Sequence, residues 1–275
     1  MTDPMTPAAL AEAGDACTFG GKAAGLAVAI RAGLPVPEGL ALPWPLVEAA
    51  AAGGPDAIAV PDTAAARLGP SLAVRSSALD EDSDVASFAG QHLSLLNVPA
   101  SGLADAVGAV ARSARGGAAL AYRRRLGVTG RTRVGVVIQR MVDAEVAGVL
   151  FDVNPATGAQ EIVIEGAWGL GEAVVGGLVT PDLFRLSIEG ELLEQRSGDK
   201  DLEVVAAPGG GTLERPVAPG RAQAPCLDGG ELARLHRLAM ACRSVFGGSQ
   251  DLEWAFAHRR LWLCQRRAVT RGARP

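Results

Sequence analysis

Near the C-terminus, four polar residues fall at spacings that could grip a metal–phosphate ion. Asp251, Glu253, Gln265 and Arg267 lie in two stretches that alternate in side-chain type, Asp251–Ala257 and Leu261–Arg267. Between them stands His258-Arg259-Arg260. The alternation reads as two strands, and a three-residue connection makes them a hairpin. That connection sets a register in which Ala257 faces Leu261, Ala255 faces Leu263, Glu253 faces Gln265 and Asp251 faces Arg267. Successive side chains point to opposite faces of a strand. Asp251, Glu253, Gln265 and Arg267 therefore share one face. Trp254, Phe256, Trp262 and Cys264 share the other, which is expected to be buried. A carboxylate opposite a carboxamide offers two oxygen ligands of the kind Mg²⁺ takes alongside phosphate oxygens. An arginine two residues further on could hold a terminal phosphate bidentately. Taken alone, the hairpin fits a polar surface face equally well.

The opposite end of the chain carries a second candidate. Gly20-Gly21-Lys22 opens a helical pattern in which Leu26, Ile30 and Leu34 recur, closed by Gly33 and Pro35. Free N–H groups and a lysine at a helix start suit phosphate. The stretch is not a Walker A loop, because Ala23 stands where Ser or Thr is required. A solvated lysine on a Gly-rich helix start explains it as well. Only Lys22 and Lys200 among the 26 basic residues are lysine. Where arginine is the default cation, a retained lysine could be wanted for its compact ammonium, although two residues can also arise by chance.

These groups need elements to position them. Leu72-Ala73-Val74 reads as a short buried strand with Arg75 at its end, followed by an acidic loop, Asp80–Asp84, and by Ser87–Gln91 with Gly90. A guanidinium there could close with the loop over a triphosphate, or simply pair with the neighbouring acids. Val134–Arg140 is a buried strand from which Met141-Val142 turns out; the stretch Gln139–Val142 could offer backbone amides and an apolar side chain to an adenine edge, with Met141 as plain core the competing reading. Val146–Asp152 and Glu161–Glu165 are further strands, and Leu183–Ile188 with Glu191–Arg196 form a hairpin. Gly166–Asp182 is read as a loop with Glu172 toward the cleft, and 206–224, rich in Gly and Pro, as a surface loop. Asp228-Gly229-Gly230-Glu231 has the form of a capping box opening a helix.

The chain has 275 residues, 48% hydrophobic and 20% charged, enough for a sizeable core in one large domain or two lobes. Net charge is −4, and the only basic run is Arg123-Arg124-Arg125, so no nucleic-acid partner is expected. No apolar stretch is long enough to span a membrane, and the N-terminus lacks the form of a secretory signal. Cys17, Cys226, Cys242 and Cys264 show no paired spacing, so they are expected to be reduced thiols in a cytoplasmic protein.

Taken in order, the motifs resemble the nucleotide-binding domain of the family of pyruvate phosphate dikinase, phosphoenolpyruvate synthase and rifampin phosphotransferase. The matching stretches are GGKAAGL at 20–26, VRSSALDEDS at 74–83, SFAGQ at 87–91, AYRRRLG at 121–127, VVIQRMVDAEVAGVLFDVNPATG at 136–158, GLGEAVVGGLVTPD at 169–182, QDLEWA at 250–255 and QRRAVT at 265–270. The resemblance implies an α+β ATP-grasp fold in which two lobes clamp ATP, with lobes expected at 1–133 and 134–275. It implies phosphate contacts from Lys22 and Arg75, a loop over the phosphates containing Gly90 and Ser94, and adenosine contacts from Gln139 and the backbone around Met141. It also implies Mg²⁺ on Glu253 and Gln265, with Arg267 neutralising the transferred phosphoryl groups. Lys200 occupies a family lysine position without a clear role.

By the same resemblance, ATP would be split to AMP and phosphate while the remaining phosphoryl group passes to an acceptor. The sequence departs from the family in a short 42–71 segment and in His92, Asp152 and Ala268. No phosphohistidine domain follows QRRAVT, so the acceptor is expected to be a histidine on a separate protein or a small molecule. Met1 and the full motif set suit an intact domain, with a fragment cut from a longer enzyme as the other reading. A non-catalytic nucleotide-binding subunit and an ATP-grasp ligase acting through an acyl phosphate stand as the alternatives.

Overall fold

The structure is a computed structural model that describes residues 5–52, 67–79, 93–114, 116 and 132–269. Its chain builds two antiparallel sheets. The first contains β1 (Ala8–Ala9), β2 (Gly39–Leu42), β3 (Ser71–Ala78), β4 (Ser94–Pro99) and β5 (Val134–Arg140) in the order β1-β2-β5-β3-β4. The apolar run VGVVIQR places β5 at the centre, buried on both faces. Val137 packs toward helix Gly21–Arg31, with Phe19, Ala23 and Leu26. Val136 and Ile138 pack the other way, against helices Trp44–Ala51 and Leu103–Ser113.

The second sheet contains β6 (Val146–Phe151), β7 (Ile162–Trp168), β8 (Asp182–Leu186), β9 (Leu192–Arg196), β12 (Gln250–Ala257) and β13 (Arg260–Ala268) in the order β13-β12-β6-β7-β8-β9. One face is covered by helix Gly229–Phe246, whose Leu232, Leu235, Leu238 and Cys242 meet Ile162, Ile164, Phe184 and Trp254. Asp228 and Glu231 close the expected capping box at its start. Between the sheets lies a separate two-stranded ribbon, β10 (Leu202–Ala206) and β11 (Thr212–Pro216).

Three expectations are corrected here. Val134–Arg140 does not open the C-terminal half. It pairs with both β2 and β3, so the change of sheet falls at 141–145 rather than at 133. Arg75 sits in mid-strand, not at a strand end, because β3 continues through Ser76-Ser77-Ala78 as the partner of Val134–Val136. The stretch 206–224 is not a plain loop, since Thr212–Pro216 is a strand turned back through Gly209, Gly210 and Gly211, all with positive φ. Ahead of residue 17, β1 pairs with the edge of β2.

The structure also sets the two lysines apart. Lys200 is fully buried, and its Nζ donates to Asp182 Oδ1; Asp182 also accepts from Gly198 N–H and Cys226 N–H. It is a structural ion pair, satisfied from several sides. Lys200→Met leaves the carboxylate buried without its counter-charge and is expected to cost about 3 kcal/mol in urea unfolding. A loss below about 1 kcal/mol would show that the pair does not hold this part of the fold.

Candidate active site

The hairpin β12–β13 brings Glu253 opposite Gln265 and Asp251 opposite Arg267, the register expected at its working end. At its tip the expectation fails. His258 and Arg259, with φ of 48° and 61°, form a two-residue turn, and Ala257 pairs with Arg260. A bulge between Glu253 and Trp254 then inserts one extra residue on β13 and restores the register. The bulge also changes which side chains are buried. Leu263 joins Trp254 and Phe256 in the core with the half-buried Leu261 packed against them, while Trp262 is half-buried beneath the Arg260 guanidinium. Cys264 turns to the opposite face, into a cleft between the two sheets.

That cleft encloses about 760 Å³ and is lined by Lys22, Arg75, Ser94, Gln139, Met141, Glu253, Gln265 and Arg267. Gly90 lies outside the described residues. At its charged end, Arg75 crosses from the first sheet to the second. Its Nη1 donates to Glu253 Oε2 at 3.0 Å and to Gln265 Oε1 at 3.1 Å. Arg267 Nη2 stands 3.9 Å from Glu253 Oε1. Burial opposes the Glu253 charge, but Arg75, Arg267 and Lys22 outweigh it and hold the carboxyl below its ordinary range. The same pairing outweighs burial at Arg75 and raises its pKa. Burial pushes Asp251 up to about 6, against the pull of Arg267. Asp251 is not part of the cleft wall.

Three buried N–H donors at this end have no hydrogen-bond partner among the described residues: Arg75 Nε, Gln265 Nε2 and Arg267 Nε. Unpaired buried donors are costly, and all three belong to side chains that line the cleft beside Lys22. Lys22 is buried, and its Nζ donates to Ser76 O at 2.8 Å. The helix start behind it is not an open anion site. Ser77 Oγ accepts from Ala23 N–H, and Gly20 (φ 86°) packs so closely on Ser77 that a Cβ would collide with its carbonyl. The lysine side chain, not the row of helix amides, reaches the cleft.

The other end of the cleft is apolar. Ala144, Ala147, Leu170 and Val204 form a cluster with Leu96, Met141, Val142 and Cys264 against it. Met141 begins the crossing between the sheets, and its N–H is already taken by Ser71 O. Gln139 is buried, with Nε2 3.5 Å from Pro37 O. Glu172 opens a short helix, Glu172–Val175, and lines the cleft, as its loop suggested. Lys200 does not line it. Sequence reasoning missed the ribbon residues Val204, Thr212, Leu213 and Glu214, and it placed Cys264 on the wrong face. The β-branched pair in LEVVA was the usable signal; nothing in the pattern marked the bulge.

Comparison with known proteins matches residues 58–274 to the family described as pyruvate phosphate dikinase, AMP/ATP-binding domain. The chain belongs to that family. The matched part of this AMP/ATP-binding domain includes every cleft residue named above except Lys22. Relatives include the prodigiosin synthesizing transferase PigC of Serratia marcescens, 37% identical over 94% of this chain and 32% of the relative. A probable phosphoenolpyruvate synthase of Methanothermobacter thermautotrophicus is 39% identical over 72% of this chain and 29% of its own length. A rifampicin phosphotransferase of Streptomyces sviceus is 38% identical over 78% and 26%. The AMP/ATP-binding domain chain thus spans about a third or less of these curated relatives. No helix among its described residues is long and apolar enough to cross a membrane.

The reactivity of Cys264 tests the corrected face. Burial pushes its thiol up to about 11. Alkylation is expected to be slow at pH 7 and to rise about tenfold per pH unit, following the thiolate fraction. Exposed Cys17 should react first, and Cys226 and Cys242, both buried, last. Peptide mass spectrometry of a time course checks this order; a Cys264 as inert as Cys242 at every pH would place it in the core.

Proposed function

We propose that the cleft binds ATP with Mg²⁺ in an ATP-grasp arrangement and that the chain is the phosphotransferase module of a dikinase-type reaction. The observation that carries this reading is the gathering of Lys22, Arg75 and Arg267 around the Glu253–Gln265 pair at one end of the cleft. A triphosphate would supply the negative charge that three cations around one carboxylate leave unmatched. The apolar end would take the adenine, with Gln139 and the backbone near Met141 at its edge. Ser94 and Gly90 would belong to the segment over the phosphates.

The donor set fits a hard divalent ion. Glu253 Oε2 and Gln265 Oε1 already share one cationic group, Arg75 Nη1, so two oxygens from neighbouring strands converge on a common point. Mg²⁺ takes few protein ligands and completes its shell with phosphate oxygens and water. Glu253 and Gln265 would hold it, and it would supply charge neutralisation on the phosphoryl oxygens. Lys22, Arg75 and Arg267 would bind and orient the triphosphate, which is most of what phosphoryl transfer asks of a protein. Two bonds are exchanged overall: ATP, water and an acceptor give AMP, orthophosphate and the phosphorylated acceptor. The acceptor would be a histidine on a separate protein module or a small molecule entering the cleft, in a cytoplasmic setting.

The reading is tested by following ATP, Mg²⁺ and candidate acceptors with the pure protein by ³¹P NMR. AMP with orthophosphate is the expected product pair, whereas ADP would indicate an ordinary kinase or an acyl-phosphate ligase. Tight ATP binding with no turnover would indicate a binding subunit. Glu253→Ala is expected to lower turnover at least about a hundredfold while leaving the circular dichroism spectrum intact. Undiminished turnover in that variant would remove Glu253 from the site.

A further inference from the structure

The ribbon β10–β11 belongs to neither large sheet, yet it walls the cleft and bonds to both halves. On one side Leu170 N–H donates to Val204 O at 2.8 Å, beside a bridge between Gly169 and Val204. On the other, its turn lands on β4. There Asn97 Nδ2 donates to the carbonyls of Ala207 and Gly211, each at 2.8 Å, and Asn97 O accepts from Gly211 N–H at 2.9 Å. Ser71 Oγ donates to Asn97 Oδ1 at 2.7 Å, which fixes the amide with both hydrogens toward the ribbon.

Local backbone geometry makes this contact possible. The β3–β4 register shifts between Leu72 and Val74, so Leu96 and Asn97 stand together opposite Ala73. Asn97 has φ 53°, in the left-handed region that asparagine enters more readily than most residues. Such bulges re-aim side chains beside functional sites. Here Leu96 lines the cleft and Asn97 reaches the ribbon. On the facing side, Gly210 has φ 124°, and a Cβ would stand 3.0 Å from Pro99 Cδ and 3.4 Å from Asn97 O. Of the four ribbon residues on the wall, Val204 sits in the apolar cluster with Leu170 and Met141.

We propose that Asn97 is a positioning residue for the nucleotide base: by pinning the ribbon across both sheets it closes the apolar half of the cleft. This rests on the reading of the cleft as an ATP site. Asn97 sets the affinity for the base end of the ligand and leaves the phosphate end untouched.

The test compares ATP with inorganic tripolyphosphate, each with Mg²⁺, by calorimetry on the full chain. Asn97→Gly keeps the backbone conformation accessible and deletes the amide. It is expected to weaken ATP about tenfold, the effect of two lost neutral hydrogen bonds, with tripolyphosphate binding unchanged. Gly210→Ala pushes the turn off Pro99 from the other side and carries the same prediction if Asn97→Gly fails to fold. Unchanged ATP affinity in both variants, or a parallel loss of ATP and tripolyphosphate, would overturn the proposal. Failure of the unaltered chain to bind ATP would overturn the nucleotide reading and this inference with it.

Discussion

The structure turns on one guanidinium that is contributed by one sheet and held by the other. Arg75 is rooted in mid-β3, and its nearest charged partner, Glu253, stands on β12 of the second sheet. Little water reaches the pair, with the side chains 11% and 22% exposed, so the attraction is less screened than at a surface. Three positive groups surround one carboxylate, and two of their arginines keep an unpaired donor. That excess of positive charge around Glu253 is what connects the packing of the two sheets to the proposed chemistry.

The hairpin shows how far the pattern of residues could be read. Alternation alone found that Glu253 faces Gln265, and the structure agrees at that pair. The path to it was different. The turn is one residue shorter than expected, and Cys264 adds one back through the bulge. Two offsets cancel at the site but not at the tip, where Leu261 and Leu263 face the core in place of Trp262 and Cys264. Strand alternation has a period of two, so a single inserted residue flips every side chain beyond it. No residue type in WLCQ announces that insertion.

The first sheet was harder to read for a different reason. The expected boundary after residue 133 came with the resemblance, and sequence distance says little about which strands pair. Burial on both faces of VGVVIQR required neighbours on either side, and β2 and β3 supply them. The ribbon was concealed by its glycines, which mark a loop in most contexts and here build the turn that reaches Asn97. The two lysines carry a related lesson. Lys22 reaches the cleft and Lys200 is locked to Asp182 in the interior, although composition made them equivalent.

The most direct measurement is a double-mutant cycle on the unliganded protein, combining Arg75→Met with Glu253→Gln and reading urea unfolding. If the guanidinium ties the sheets together as described, the two changes couple by on the order of 2 kcal/mol. Effects that simply add, within about 0.5 kcal/mol, would contradict the account, because the cation and the carboxylate would then be independent of each other.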